Sequence, residues 1–218
     1  MSEINQTMRK IQFKLGEFYH IYNRGNNKRQ IFFDNVDFHR FLQGMEEFNT
    51  ENPVGSLFLN SLRKKKGELR GQASQPLVEF VSYCLNPNHF HFIVKQNLDG
   101  GIQKFMHRLG TGYSYYFNGR HRGSGGLFQG PYKAIHVESN EYLLHLSAYV
   151  NLNNKVHEVS LFKSSWDEYQ KGIKSLCNKE IILSQFKSGS DYLKFSKDTF
   201  RTIKKRKDMA KIMLEEKE

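Results

Sequence analysis

The sequence predicts an α+β domain built on a mainly antiparallel, ferredoxin-like sheet with helices packed on one face. Runs rich in aromatic and β-branched residues alternate with segments of helical apolar spacing, in the order strand, helix, strands, helix, strand, helix. The 218 residues suit one domain with an extension. Hydrophobic residues make up 38% and aromatic residues 14%, which is enough for a real core.

The first half of the chain carries signals for three strands and one helix. The run from Phe13 to Asn23 ends at a glycine-containing turn and predicts a strand. Apolar residues spaced by three and four from Val36 to Asn49 predict a helix. The segments Val54–Leu62 and Leu77–Leu85 predict two strands, joined by a polar, basic connection from Arg63 to Pro76.

The second half continues the alternation. After an Asn-Pro-Asn turn, the run from His89 to Gln96 predicts a strand that forms a hairpin with the one before it. An apolar stripe predicts a helix from Gly100 to Asn118, and strand signals return from Leu127 to Val137. Ser139 is placed to cap a last helix from Asn140 to Asn153.

Beyond the last helix the composition becomes more charged and more helical. We therefore expect one domain over residues 1–156 and a basic, mainly helical C-terminal extension over residues 157–218.

The charge of the chain favours a polyanionic partner. Lys and Arg total 33 against 22 acidic residues, which gives a net charge of +11. The two cysteines are too few and too far apart for a disulfide framework. The N-terminus lacks the apolar block of a signal peptide, and no stretch approaches the length of a membrane span, so we expect a cytoplasmic protein.

Two histidines stand two positions apart on a predicted strand. His89 and His91 leave the same face of that strand, so their imidazoles can converge on one metal ion. A pair of ordinary polar face residues would give the same pattern. A zinc site that adds Cys84 is an alternative, but no fourth ligand is evident.

A polar stripe runs along the last predicted helix. Tyr149 lies four residues after His145 and four before Asn153, and Tyr142 extends the stripe. Spacing alone is equally compatible with a solvated or packed amphipathic face.

Three blocks then resemble a known family in order: YHIYNRGNNKRQIF, YCLNPNHFHFIV and SGGLFQGPYKAIHVESNEYLLHLSAYVNLNNKV. They look like the IS200-type transposases, and more closely like their REP-associated relatives, the single-tyrosine branch of the HUH nucleases. The resemblance covers most of the chain from Tyr19 to about Val156. It implies a Mg²⁺ or Mn²⁺ ion held by His89, His91 and Asn153.

The same resemblance implies that Tyr149 is a nucleophile that cleaves single-stranded DNA beside a hairpin and forms a 5′-phosphotyrosine. A phenol is mostly protonated at neutral pH, so a cation on the phosphate or a base is needed for attack. Among the rival tyrosines, Tyr113 lies on an apolar stripe, whereas Tyr115 and Tyr116 could stack on bases. RNA stays open as a substrate, and so do a monomer and a homodimer.

Basic residues in two turns and one strand are expected to contact DNA phosphates, although each could simply be a solvated surface charge. They are Arg24, Lys28, Arg29, Arg120, Arg122 and Lys133. The competing hypothesis is a catalytically inactive protein that binds single-stranded or hairpin DNA and needs no metal.

Overall fold

The computed structural model describes residues 11–52, 55–57, 60, 62, 65, 75–156, 159–171 and 176–215. Five strands of these residues form one sheet in the order β4-β1-β3-β2-β5, with every neighbouring pair antiparallel. The strands are β1 (Phe18–Arg24), β2 (Val78–Asn86), β3 (His89–Gln96), β4 (Lys133–His136) and β5 (Lys163–Ser164). The first four have the order of a ferredoxin-like sheet, so the α+β prediction is confirmed.

Seven α-helices have both ends in the described ranges. They are α1 (Asn35–Glu47), α2 (Gly101–His121), α3 (Asn140–Asn151), α4 (Asn153–Val156), α5 (Trp166–Lys171), α6 (Glu180–Leu183) and α7 (Gly189–Glu215). Asp34 begins α1 by accepting hydrogen bonds from the N–H groups of Val36 and Asp37, and Ser139 begins α3 by accepting from that of Tyr142.

The helices cover both faces of the sheet, so the expectation of helices on one face is wrong. One core lies under α1 and α2 and includes Phe41, Phe92 and Phe105. A second core lies under α3 and the C-terminal helices and includes Val150 and Tyr192. The charged tail sequence hid this second layer. Among the described side chains of α7, residues 189–205, one narrow side is buried and most of the others are at least partly exposed.

The structure corrects the bounds of two predicted strands and the type of a third predicted element. The strand predicted from Phe13 begins only at Phe18, since Gly16 makes a turn with a positive φ of 78°. Of the strand predicted from Leu127 to Val137, only Lys133–His136 pairs continuously. The described residues of the segment predicted as the strand Val54–Leu62 include helical positions 57, 60 and 62, and the Asn60 N–H bonds to the carbonyl of Ser56. That strand prediction is therefore wrong.

Candidate active site

The alternation of β3 decides where its histidines lie. Phe90, Phe92 and Val94 belong to the core under α1 and α2. His89 and His91 therefore leave the opposite face, toward α3. The shared face that the sequence predicts for the two histidines is present, and their ring centroids are 5.2 Å apart.

The hairpin turn before His89 forms backbone hydrogen bonds with the turn that follows β1, which contains Lys28 and Arg29. The Gly25 N–H donates to the carbonyl of Asn88 at 2.8 Å, and the Ile31 N–H donates to the carbonyl of Pro87 at 2.7 Å. A Cβ atom at Gly25 would lie 2.1 Å from the carbonyl oxygen of Arg29, so only glycine fits this position. These contacts keep Lys28 beside the histidines.

His89 is oriented by hydrogen bonds to both ring nitrogens. Its Nδ1 lies 2.6 Å from Asn88 Oδ1, and Asn88 is itself fixed by donating to the carbonyl of Lys28. Because an amide oxygen only accepts, Nδ1 carries the proton, and in the neutral ring Nε2 keeps its lone pair. Nε2 lies 2.9 Å from the Asn86 amide nitrogen and 3.1 Å from Asn153 Oδ1.

Asn86 is a site residue that the sequence analysis missed. It is fully buried, and its amide nitrogen donates to Asn153 Oδ1 at 2.7 Å as well as to His89 Nε2. His89 Nε2 and Asn153 Oδ1, which are 64 positions apart in the sequence, therefore both accept from the Asn86 NH₂ group. The Asn-Pro-Asn turn was visible in the sequence, but nothing local showed that its first residue faces Asn153.

His20, on the neighbouring strand β1, is a second missed residue. Its Nε2 lies 2.9 Å from Nδ1 of His91, and the two rings stack with centroids 5.1 Å apart. Burial lowers the pKa of His20 to about 4, so the ring is neutral at pH 7 and one of its nitrogens can accept a hydrogen bond. Tyr22 stacks on the same His91 ring at 5.6 Å.

Tyr149 lies against these histidines. Its ring meets the His91 ring edge-on at a centroid distance of 5.8 Å. Burial raises the pKa of Tyr149, and the nearby Asn153 amide opposes that rise. The phenol is therefore neutral at pH 7 in the absence of substrate, and it needs a charge-stabilising partner to become a nucleophile.

The predicted helix over Asn140–Asn153 ends two residues early. Leu152 leaves helical geometry with φ −108° and ψ 13°, and Asn153 begins α4. Asn153 still lies in the site, through its bond to Asn86. The rest of the predicted polar stripe does not join it: His145 Nδ1 is 3.2 Å from the Thr199 hydroxyl on α7, and Tyr142 is partly exposed.

A cavity of about 530 Å³ opens in front of the histidines. It is lined by Tyr22, Asn23, Arg24, Lys28, Asn88, His89, His91, Gln129, Lys133 and Val159. Three of the predicted DNA-contacting cations, Arg24, Lys28 and Lys133, therefore lie together at its wall. Arg24 is held there by a hydrogen bond from its Nε to Gln129 Oε1.

The other predicted cations lie elsewhere. Arg120 is bound by the carboxylates of Asp34 and Asp37, and Asp37 is completely buried. Arg29 lies over the Phe117 ring at 5.7 Å and lines a different cavity. Arg122 caps α2 in the left-handed conformation, outside the lining of the histidine cavity.

The rival tyrosines on α2 are separated from the histidines by the sheet. Tyr113 is buried and donates its hydroxyl hydrogen bond to the carbonyl of Ile31 at 2.6 Å. Tyr116 donates to Asp37, and Tyr115 is 85% exposed. Within the described residues, no three His, Cys, Asp or Glu side chains group as a metal site, so the zinc alternative through Cys84 gains no support.

Two donor atoms, one on His89 and one on Asn153, have the spacing that two ligands of a small divalent ion require. Asn153 Oδ1 and His89 Nε2 are 3.1 Å apart. Neighbouring ligands on an octahedral ion with bonds of roughly 2.1 Å are separated by about 3 Å. The buried Asn86 NH₂ group already places partial positive charge where these two acceptors converge. Imidazole nitrogen with an amide oxygen is a mixed donor set that substrate phosphate oxygens can complete.

Three comparisons with known proteins were made. A search of curated proteins finds no match. One similar solved structure is described as a REP-associated tyrosine transposase bound to a REP hairpin, with 12% sequence identity and a TM-score of 0.49. The alignment covers 81% of this chain and 90% of that one. No described helix is long and apolar enough to span a membrane.

A family model described as "Transposase IS200 like" matches residues 17–153, a range that includes His20, Asn86, His89, His91, Tyr149 and Asn153. The matched segment spans more than half of the chain and contains β1 to β4 together with α1, α2 and α3. The chain therefore belongs to the IS200-like transposase family.

Proposed function

We propose that this protein is a divalent-metal-dependent endonuclease and strand transferase that acts on single-stranded DNA beside a hairpin. The observation that carries the proposal is the convergence of Tyr149, His91, His89 and Asn153 at one end of the sheet. A tyrosine, two imidazoles and an amide from β3, α3 and α4 are the parts that a metal-assisted phosphoryl transfer requires.

A Mg²⁺ or Mn²⁺ ion held by His89, His91 and Asn153 would neutralise charge on the scissile phosphate and fix its orientation. Tyr149 supplies the nucleophile. Its Oη forms a bond to phosphorus while the bond from phosphorus to the 3′ oxygen breaks. The phenol loses one proton and the departing oxygen gains one, so a 3′ hydroxyl and a 5′-phosphotyrosine result.

The covalent intermediate keeps the energy of the broken phosphodiester. A 3′ hydroxyl from the same or another strand can therefore attack it and restore a DNA bond without ATP. Burial of Tyr149 supports a role as nucleophile. A neutral phenol shielded from water reacts only after a phosphate and a cation that neutralises it have been bound. Cleavage and rejoining are thus one reaction in two directions.

The wall of the histidine cavity suits a DNA backbone. Arg24, Lys28 and Lys133 provide three cations beside His89, where successive phosphates of a single strand would run. Arg29 and Arg122 remain candidates for contacts farther along the strand. We assign Arg120 a structural role instead, because two carboxylates already bind its guanidinium.

The competing function is binding of hairpin DNA without cleavage, and the test separates the two. The protein is incubated with Mn²⁺ and a pool of hairpins that carry randomised single-stranded flanks, labelled at the 5′ or the 3′ end. We expect a protein-linked strand on a denaturing gel, with the label showing attachment through a 5′ phosphate. A parallel RNA pool checks the type of nucleic acid.

Two matched variants then locate the nucleophile. Tyr149→Phe removes only the hydroxyl and should abolish the adduct while DNA binding persists. Tyr142→Phe removes a partly exposed hydroxyl from the same helix and should form adduct normally. Peptide mass spectrometry that places the nucleotide on another tyrosine, or persistent adduct in Tyr149→Phe, would overturn the assignment.

A further inference from the structure

A second cleft, of about 590 Å³, lies on the face of the sheet opposite to the histidines. It opens between α2 and the segment from Gly126 to Tyr132. Asn23, at the end of β1, lines both this cleft and the histidine cavity, so the two are adjacent. Its volume lies in the range of small-molecule sites, roughly 300–1,000 Å³.

The walls of the cleft are apolar and partly aromatic. Phe41, Phe90 and Leu109 are buried and form its floor. The partly buried rings of Phe128 and Tyr132 lie along the side that faces α2. Aromatic side chains beside an apolar floor favour a flat ligand about as large as a heteroaromatic ring.

The rim of the cleft carries hydrogen-bonding groups, namely an amide, an imidazole and two hydroxyls. Gln103, His107, Thr111 and Ser114 follow one side of α2 at helical spacing, and all four line the cleft. None of the described residues that line it is Asp, Glu, Lys or Arg. The site therefore suits a polar but uncharged ring, whereas the adjacent cavity, with three cations, suits phosphates.

We propose that this cleft holds one unpaired nucleobase of the DNA strand whose phosphates lie in the histidine cavity. The inference rests on the proposed function for the path of the strand. A base turned out of a single strand offers a planar ring for Phe128 and Tyr132 and polar edges for the amide, imidazole and hydroxyl groups on α2. The cleft then helps to choose which phosphate reaches Tyr149.

Gly110 provides a way to close the cleft without disturbing the core. It lines the cleft from the middle of α2, and a Cβ atom added there meets no heavy atom within 4 Å. Gly110→Phe should therefore place a ring in the cleft. Gly119→Phe is the matched control, because Gly119 lies on the same helix, has equally open space and does not line the cleft.

Both variants replace a helical glycine, so neither is expected to lower the unfolding temperature. The probe is a randomised single-stranded DNA pool, with an abasic deoxyribose-phosphate strand of equal length as the reference. Stacking of one base should make binding of the pool about 5- to 100-fold tighter than binding of the abasic strand. Gly110→Phe should lose most of this preference, and Gly119→Phe should keep it.

A crosslinking experiment fixes the location. The same pool carrying 5-iodouracil is irradiated with each protein, and the crosslinked peptides are identified by mass spectrometry. We expect crosslinks in residues 103–114 or 126–132 of the wild-type protein and of Gly119→Phe, with at least tenfold fewer in Gly110→Phe. Crosslinks confined to other segments, or unchanged by Gly110→Phe, overturn the proposal, and so does an unchanged base preference.

These outcomes are separable from those of the proposed function. An adduct on Tyr149 together with crosslinks outside the cleft rejects only the base site. Crosslinks in the cleft without any adduct reject the cleavage function and leave the base site standing. A protein that binds neither the single-stranded pool nor the abasic strand, and that forms no adduct with the hairpin pool, rejects both.

Discussion

His20 offers a sharp test of the proposed metal site, because it contacts the proposed ligand His91 through a single hydrogen bond. His91 is positioned by the 2.9 Å bond between its Nδ1 and His20 Nε2. If His91 donates this bond, its proton is on Nδ1 and its Nε2 lone pair points away from His20, as metal-binding histidines require. We expect His20→Ala to weaken Mn²⁺ binding, with His20→Gln partly restoring it through its amide oxygen.

The size of the effect follows from that bond. A hydrogen bond to a charged or strongly polarised group contributes about 1.5–3 kcal/mol. This corresponds to about 10- to 150-fold in affinity, close to the usual consequence of removing a partner of a metal ligand. Because His20 is buried, the alanine variant also creates a cavity. Its Mn²⁺ affinity must be measured well below its unfolding temperature.

The assay is titration of the DNA-free protein with Mn²⁺, followed by electron paramagnetic resonance or calorimetry. Circular dichroism at the same temperature shows that each variant is folded. The reasoning fails if folded His20→Ala binds Mn²⁺ within threefold of the wild-type affinity. It also fails if His20→Gln and His20→Ala lose affinity equally, since a bond acceptor would then be irrelevant.

Three further results are expected. His89→Ala and His91→Ala should each abolish Mn²⁺-dependent cleavage and keep a cooperative unfolding transition, since both side chains face the cavity; cleavage in both variants would reject the metal site. Lys133→Gln should weaken binding of all single strands similarly and reduce the slope of log affinity against log salt by roughly 0.7; an unchanged slope would exclude a phosphate contact. Asp37→Ala should lower the free energy of unfolding by about 1–3 kcal/mol, because the Phe33 N–H group and the Tyr116 hydroxyl lose their buried carboxylate acceptor; urea denaturation measures this, and an unchanged stability would contradict it.

The parts of the site that the sequence predicted depend on local periodicity. Alternation along β3 is enough to place His89 and His91 on one face, since the period of a strand is two. Helical spacing and the Ser139 cap were enough to identify α3 and the position of Tyr149. Such features are determined within about ten residues of sequence, so no knowledge of the tertiary structure is needed.

The parts that it missed depend on contacts between distant segments. The bond between His20 and His91 spans 71 positions and follows from the β1–β3 register, which no local pattern fixes. The partners of Arg120 are more than 80 positions away, so its turn looked like a solvated basic loop. The strand predicted over 54–62 failed because a short apolar run fits either kind of element.

The C-terminal helix α7 packs against α3, the helix that carries the proposed nucleophile Tyr149. Tyr192 of α7 is completely buried, and its hydroxyl accepts from the Asn151 amide at 2.7 Å and lies 3.1 Å from the Ser147 hydroxyl. Asn151 in turn accepts a bond from Ser165. Because Ser147 and Asn151 flank Tyr149 on α3, this buried network holds that helix on the side opposite to Tyr149.

Tyr192→Phe should therefore lower the free energy of unfolding by more than a substitution on the protein surface does. It leaves the buried Asn151 donor without its acceptor, which costs about 1–3 kcal/mol. Tyr142→Phe, on the exposed side of the same helix, should stay within about 0.5 kcal/mol of the wild-type protein. Urea denaturation measures both changes, and hydrogen exchange should show faster opening of Asn140–Asn151 in Tyr192→Phe alone. If α3 exchanges at the wild-type rate in Tyr192→Phe and the stability is unchanged, the extension does not hold this helix, and the position of Tyr149 is set by the sheet alone.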